Sequence, residues 1–170
     1  MRVPFGPDLH YADGPEVSFF GFPYSTRMAV ARLSSCIFWV WSPVALTSEL
    51  ASAVEALGPV ALIVSPNKLH HPFIAEWHAR WPSAQIYAPA GLVRCKRQIS
   101  FDAVLGDRPE DAGIEEIDQA LFRGSFAMEE VVFFHRDSRT AIVGDGLEGP
   151  ADEAGWPSGS SRQHSARVGA

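Results

Sequence analysis

The stretch "VALIVSPNKLHHPFIAEWHARWPSAQIYAP", Val60 to Pro89, decides how this chain is read. It opens on a continuous aliphatic run, Val60 to Val64, the pattern of a strand buried on both faces. "SPNKLHH" breaks that run. "PFIAEWHARWP" then returns with helical spacing. Phe73, Ile74, Trp77 and Trp81 form its apolar side, Pro72 suits its first turn and Pro82 ends it. "QIYAP" is the next strand.

Working back toward the N-terminus, "TSELASAVEALGP" carries a second helix signal. Thr47 is its N-cap, Leu50, Ala53, Val54 and Leu57 share a face, and Gly58-Pro59 stop it. "CIFWVWSP" is a strand closed by Pro43, and "EVSFFGFPYSTRMAVARL" reads as two strands broken by a turn around Gly21 and Pro23. Strand–helix–strand–helix–strand is the signature of an α/β fold with helices covering a sheet. Beyond Pro89, "SFDAVLG", "EIDQALF" and "EEVVFFHRDSRTAIVGDG" read mostly as strands, the last a hairpin turning at "RDSR". From about Gly149, "GPADEAGWPSGSSRQHSARVGA" offers only Trp156 and Val168 as large apolar groups. Residues 1–148 are therefore expected to form one domain and residues 149–170 a disordered low-complexity tail.

The totals agree with one globular unit. The chain has 170 residues, 46% of them hydrophobic and 20% charged. A net charge of −6 with scattered Lys and Arg argues against nucleic acid as a partner. The one short basic run, Arg94 to Arg97, reads as a solvated loop. The start, "MRVPFGPDLH", has no apolar core of a secretory signal, and the longest apolar stretch, "CIFWVW", is too short to span a bilayer. No membrane partner is expected, and the expected location is cytoplasmic. Cys36 and Cys95 belong to no CxxC pattern and read as reduced thiols, Cys36 as a small buried apolar group.

Several longer words, "FGFPYSTRMAVARL", "WVWSPVALTSEL", "VSPNKLHHPFIAEWHARWPSAQIYAPAGL", "FDAVLGD" and "EEVVFFHRDSRTAIVGD", stand in an order that resembles an uncharacterised family of metallo-β-lactamase-like proteins, a domain of unknown function. The resemblance runs from about Phe5 to Asp145. It implies the αββα sandwich of metallo-β-lactamases, here expected to lack its C-terminal part.

The resemblance also implies where a metal would sit. Active members of the wider superfamily carry His-x-His-x-Asp-His in the loop after this strand, and zinc needs three or four ligands at about 2.0–2.3 Å. With the last His laid on His71, the two preceding His positions fall on Pro66 and Lys68, and the Asp on His70. Proline cannot ligate, and an ammonium repels a dication. The family's next His falls near Ser125 in "RGSF", and its bridging carboxylate matches Asp145 in "VGDG". His71 and Asp145 thus remain as matched ligands, with His70 as an unmatched extra. His135 lies beside the hairpin turn, about 17 Å from Asp145 at roughly 3.4 Å per residue, and is expected to cap the hairpin or pair with Asp137. His78 lies about two helical turns, roughly 10 Å, beyond His71 and reads as helix surface.

The first functional expectation is a non-catalytic relative with a degenerate metal site. Its ligand pocket would be lined by Asn67, Lys68, His70, His71 and Asp145, need no cofactor, and take an unknown small molecule or a protein. Lys68 and the positive end of the following helix would favour an anion. The second is a metal-dependent hydrolase using His70, His71 and Asp145 with zinc or another divalent metal to activate water. The plainer expectation is that His71 caps the helix beginning at Pro72 and His70 hydrogen-bonds within its loop. Glu76 and Arg80 are spaced as a helical ion pair. Ser42 borders the same region but has no base adjacent in sequence. An incomplete sandwich would expose apolar surface, so a homodimer is a further expectation.

Overall fold

The computed structural model describes residues 3–19, 21–107, 116–123, 129–144 and 146–148. The expected tail, Ser125 and Asp145 lie outside these residues. Among the described residues fourteen elements follow in chain order: β1 (Val3–Gly6), β2 (Leu9–Phe19), β3 (Phe22–Arg32), β4 (Phe38–Trp41), α1 (Ser48–Leu57), β5 (Val60–Val64), α2 (Ile74–Arg80), β6 (Gln85–Pro89), α3 (Ala90–Cys95), β7 (Ala103–Leu105), β8 (Ile117–Arg123), β9 (Glu129–His135), β10 (Thr140–Val143) and β11 (Gly146–Glu148).

Strands β1 to β7 make one sheet in sequence order, and β8 to β11 make a second, antiparallel one. In the first sheet β1 to β4 pair antiparallel and β4 to β7 pair parallel. The β2–β3 hairpin turns at Gly21, whose φ of +84° is open to glycine without a steric penalty. From β4 onward each strand lies beside its predecessor and returns through a helix, and right-handed crossovers place such helices on one face.

The two faces of the large sheet bury separate clusters. On the helix side Leu50 and Val54 of α1 and Ile74 and Trp77 of α2 pack on Val30, Val40, Ile63 and Ile86. On the other side Trp39, Trp41, Leu62 and Val64 face Ile117, Val131, Phe133 and Ile142 of the second sheet. The described residues thus supply helices, sheet and sheet. The outward face of the second sheet carries Phe122 and Phe134 exposed.

Local signals placed most elements. Thr47 caps α1, its hydroxyl accepting from the Leu50 amide at 3.2 Å, and Gly58 ends it. The "RDSR" turn lies between paired His135 and Thr140. Four expectations are corrected. Cys36 is not a buried strand residue. It sits in a turn at φ +59°, exposed, with Arg32 donating to its sulfur at 3.4 Å. The run Arg94 to Arg97 is not all loop, because Arg94 and Cys95 end α3. Helix α2 begins at Ile74 rather than Pro72, and its N-cap, Phe73, makes no side-chain hydrogen bond. Arg80 pairs with Glu55 on α1 instead of Glu76, while Glu76 accepts from the Leu46 amide at 3.3 Å. Tertiary packing of α1 beside α2 offers Arg80 a nearer carboxylate than its own helix does.

Candidate functional site

The parallel strands β4, β5 and β6 end together, at the point where the sheet changes from antiparallel to parallel pairing. In open α/β sheets ligands bind outside the carboxyl ends of the strands. The connections that leave this edge carry Ser42 after β4, the loop 65–71 after β5 and Gly91 just after β6.

The loop is held from within and without. The Ser65 hydroxyl, fully buried, makes a forked bond to the carbonyls of Asn67 and His70 at 3.0 and 2.9 Å. The buried Asn67 carboxamide oxygen accepts from the amides of Leu69 and His70 at 2.8 and 3.2 Å. Tyr24 on β3 donates to the Leu69 carbonyl at 2.9 Å, and burial pushes its phenol upward. The Val131 amide on β9 donates to the Pro66 carbonyl at 2.9 Å, joining the loop to the second sheet.

His70 is buried against the rings of Trp41 and Tyr24, with centroids 5.6 and 6.3 Å away. Its Nδ1 lies 2.7 Å from Oγ of Ser42. Ser42 is itself buried and holds a left-handed backbone, φ +50°, a conformation that is strained for a residue with a Cβ. His70 was expected to bond within its loop. Its backbone does, but its ring reaches Ser42, just past the end of β4.

His71 is half-buried, and its Nδ1 has no hydrogen-bond partner among the described residues. Burial first, and then the Lys96 cation, push its imidazole below the ordinary histidine range. Its ring does not cap α2; only its backbone carbonyl meets the helix, accepting from the Ile74 amide at 3.2 Å. Lys68 is half-buried, its Cε 2.6 Å from where a Cβ on Gly91 would stand. Glu129 of β9 crowds the same point and accepts from the Gly91 amide at 2.5 Å. Glycine at 91 is what lets the Lys68 stem and the Glu129 carboxylate approach this backbone together.

Loop 65–71 and Ser42 therefore come together, with Lys68 leaning toward β9. His135 lies elsewhere, fully buried at the β9–β10 turn. Its Nδ1 bonds Ser138 Oγ at 2.7 Å, so it caps the hairpin and does not bond Asp137. Burial lowers its basicity, against the opposing pull of Asp137, Asp8 and Glu116. The fold thus favours neutral His135, whereas the unfolded chain takes up its proton near pH 6.5. Its contribution to stability is full above that pH and is lost as pH falls from there through the lower value of the folded state. Urea titrations of wild type and His135→Gln at pH 7.5 and 5.0 check this: the wild type should lose more stability on acidification than the variant. Equal losses would remove His135 from the account.

Among the described residues no three His, Cys, Asp or Glu side chains converge closely enough to hold a metal. Pro66 has its carbonyl bonded to Val131, Lys68 is a cation, and Nδ1 of His70 is engaged by Ser42. By themselves these residues do not supply a zinc donor set, which needs three or four neutral or anionic ligands.

A family model described as "Domain of unknown function (DUF4336)" matches residues 18–150. The chain belongs to that family. No curated protein matches it. Its fold is similar to solved metallo-β-lactamases. With metallo-β-lactamase IND-7 the TM-score is 0.58 at 15% identity, covering 79% of this chain and 65% of that one. With TMB-1 it is 0.58 at 12%, covering 78% and 63%. With the metallo-β-lactamase from Hirschia baltica it is 0.55 at 12%, covering 78% and 65%. This DUF4336 chain thus has the metallo-β-lactamase fold and spans just under two thirds of those proteins' lengths. Among the described residues no helix is long and apolar enough to cross a membrane.

Sequence reasoning missed the Ser42–His70 pair. The partners are 28 residues apart, and no local pattern joins them.

Proposed function

We propose that this protein binds an anionic small molecule, without a metal, at the carboxyl edge of β4 to β6, and that the metal-dependent hydrolysis of its structural relatives is absent. The observation that supports this reading is Lys68. It takes the place of a metal-ligating histidine in the loop and rests against Gly91, with His71 and Lys96 close by. An ammonium there opposes a dication and attracts an anion.

The test is metal content by mass spectrometry on wild type and His71→Ala, with calorimetric titration of inorganic phosphate and succinate. The expected result is no stoichiometric metal in either protein. Binding of at least one of the two anions should weaken about tenfold or more in Lys68→Glu, the loss of one close charge-assisted contact. Near-stoichiometric zinc, iron or manganese in wild type, lost in His71→Ala, would overturn the reading in favour of a metallo-hydrolase.

A further inference from the structure

We infer that Ser42 and His70 form a nucleophile–base pair that cleaves short-chain acyl esters. The inference rests on the metal-free reading of the cleft, because it gives His70 to a hydroxyl and not to a cation.

Three observations carry it. The first is distance: Ser42 Oγ and His70 Nδ1 are 2.7 Å apart, already at the separation a general base needs to take the hydroxyl proton. The second is backbone. Ser42 stands immediately after β4, on the connection to α1, in a left-handed conformation with φ +50°. A strained strand-to-helix elbow at the carboxyl edge of a sheet is how an attacking serine is presented in another class of α/β fold. The motif of that class is absent here, since Trp41 and Pro43 flank the serine. The third is an unanswered donor. Trp41, fully buried with its ring tilted beside that of His70, has an indole N–H with no partner among the described residues. Leaving such a group unpaired is unfavourable, and a carbonyl oxygen seated beside Ser42 gives it an acceptor.

The pair is also held in place. Ser42's amide donates to the Val64 carbonyl at 2.8 Å, fixing the elbow to β5. The Ser65 and Asn67 bonds fix the backbone of His70, and Tyr24 and Trp41 flank its ring. Ser42 and His70 are 2% and 8% exposed, which favours a small acyl group over a bulky one.

The step balances without a further reactant. Ser42 Oγ forms a bond to the acyl carbon while His70 Nδ1 takes the hydroxyl proton. The ester C–O bond breaks, and the departing alkoxide leaves as the alcohol with that proton. Water then attacks the acyl carbon and gives a proton to His70 Nδ1. The acyl–Oγ bond breaks, the acid departs, and Oγ recovers the proton. The indole N–H of Trp41 is the donor this scheme assigns to the oxyanion in both halves.

The experiment treats the full chain with a small fluorophosphonate and, separately, with p-nitrophenyl acetate. Adduct mass, adduct position and the rate of nitrophenol release are measured. A single phosphonyl adduct on Ser42 is expected, together with ester turnover that chelators do not affect. Ser42→Gly should abolish both. It removes the hydroxyl while relaxing the left-handed backbone, which offsets part of the lost bond to His70, so its circular dichroism should stay that of wild type and its unfolding in urea should stay cooperative. Trp41→Phe should slow acylation by about a hundredfold. No adduct on folded wild type, or an adduct that survives Ser42→Gly, overturns the inference while leaving the metal-free reading intact. Ester turnover abolished by chelators and restored by zinc overturns both.

Discussion

Replacing Trp77 with alanine should lower the free energy of unfolding by about 3–5 kcal/mol, the range for deleting a large aromatic side chain from a core. Trp77 is fully buried on the helix side of the large sheet. Its indole N–H donates to the Val44 carbonyl at 2.7 Å, and its ring lies 4.9 Å from that of Trp81. Alanine removes the packed ring, opens a cavity under α2 and leaves the Val44 carbonyl without its donor. Trp77→Phe separates these effects. It keeps most of the apolar volume and loses the hydrogen bond, so it should cost about 1–3 kcal/mol. Urea unfolding of the three proteins gives the values. A Trp77→Ala penalty below about 1 kcal/mol would mean that α2 is not anchored through this side chain. The consequence reaches the site, because α2 begins three residues after His71, so loosening the helix frees one end of the loop that positions His70.

What could be read from the sequence, and what could not, divides along the range of the interaction. The Val60–Val64 strand, the Thr47 cap, the Gly21 turn and the "RDSR" hairpin rest on residues within a few positions of one another, and each was legible. Helix α3 was not. Its six residues include Gly91 and are too short for helical periodicity to show. Arg80 was assigned to Glu76 because spacing along one helix is visible in a sequence, whereas the packing that brings Glu55 alongside is not. Cys36 was read as buried because it adjoins "IFWVW", but the turn from Leu33 places it outside the strand. At the candidate site, the loop 65–71 was singled out from the sequence, and the fold brings it together with Ser42. Its internal wiring was only half legible. An Asn two or three residues before accepted amides is a familiar local turn, but the Ser42, Tyr24, Val131 and Gly91 contacts come from four other parts of the chain. The family resemblance drew attention to metal ligands. Among the described residues, the loop also meets a serine, a tyrosine and a glutamate.

Asn67→Ala should be the most damaging single change within that loop. The Asn67 carboxamide oxygen is the acceptor for two backbone amides, those of Leu69 and His70, in a place only 3% exposed. Alanine leaves both donors without the partner they have in the fold. A buried unsatisfied polar group costs about 1–3 kcal/mol, and relaxation of the loop toward water recovers part of that. The expected loss is therefore about 2 kcal/mol, with the loop opening as the compensating motion. Asn67→Asp is the informative control, because a carboxylate offers the same acceptor at the same reach. It should retain most of the stability at neutral pH, and it should still weaken anion binding, since a negative charge beside Lys68 opposes the ligand. Urea unfolding and amide hydrogen exchange at Leu69 and His70 measure both parts. Rapid exchange at those two amides in Asn67→Ala, with slow exchange in the Asp variant, is the expected pattern. Slow exchange in both would show that the Ser65 and Tyr24 bonds hold the loop without Asn67, and that the position of His70 does not depend on this side chain.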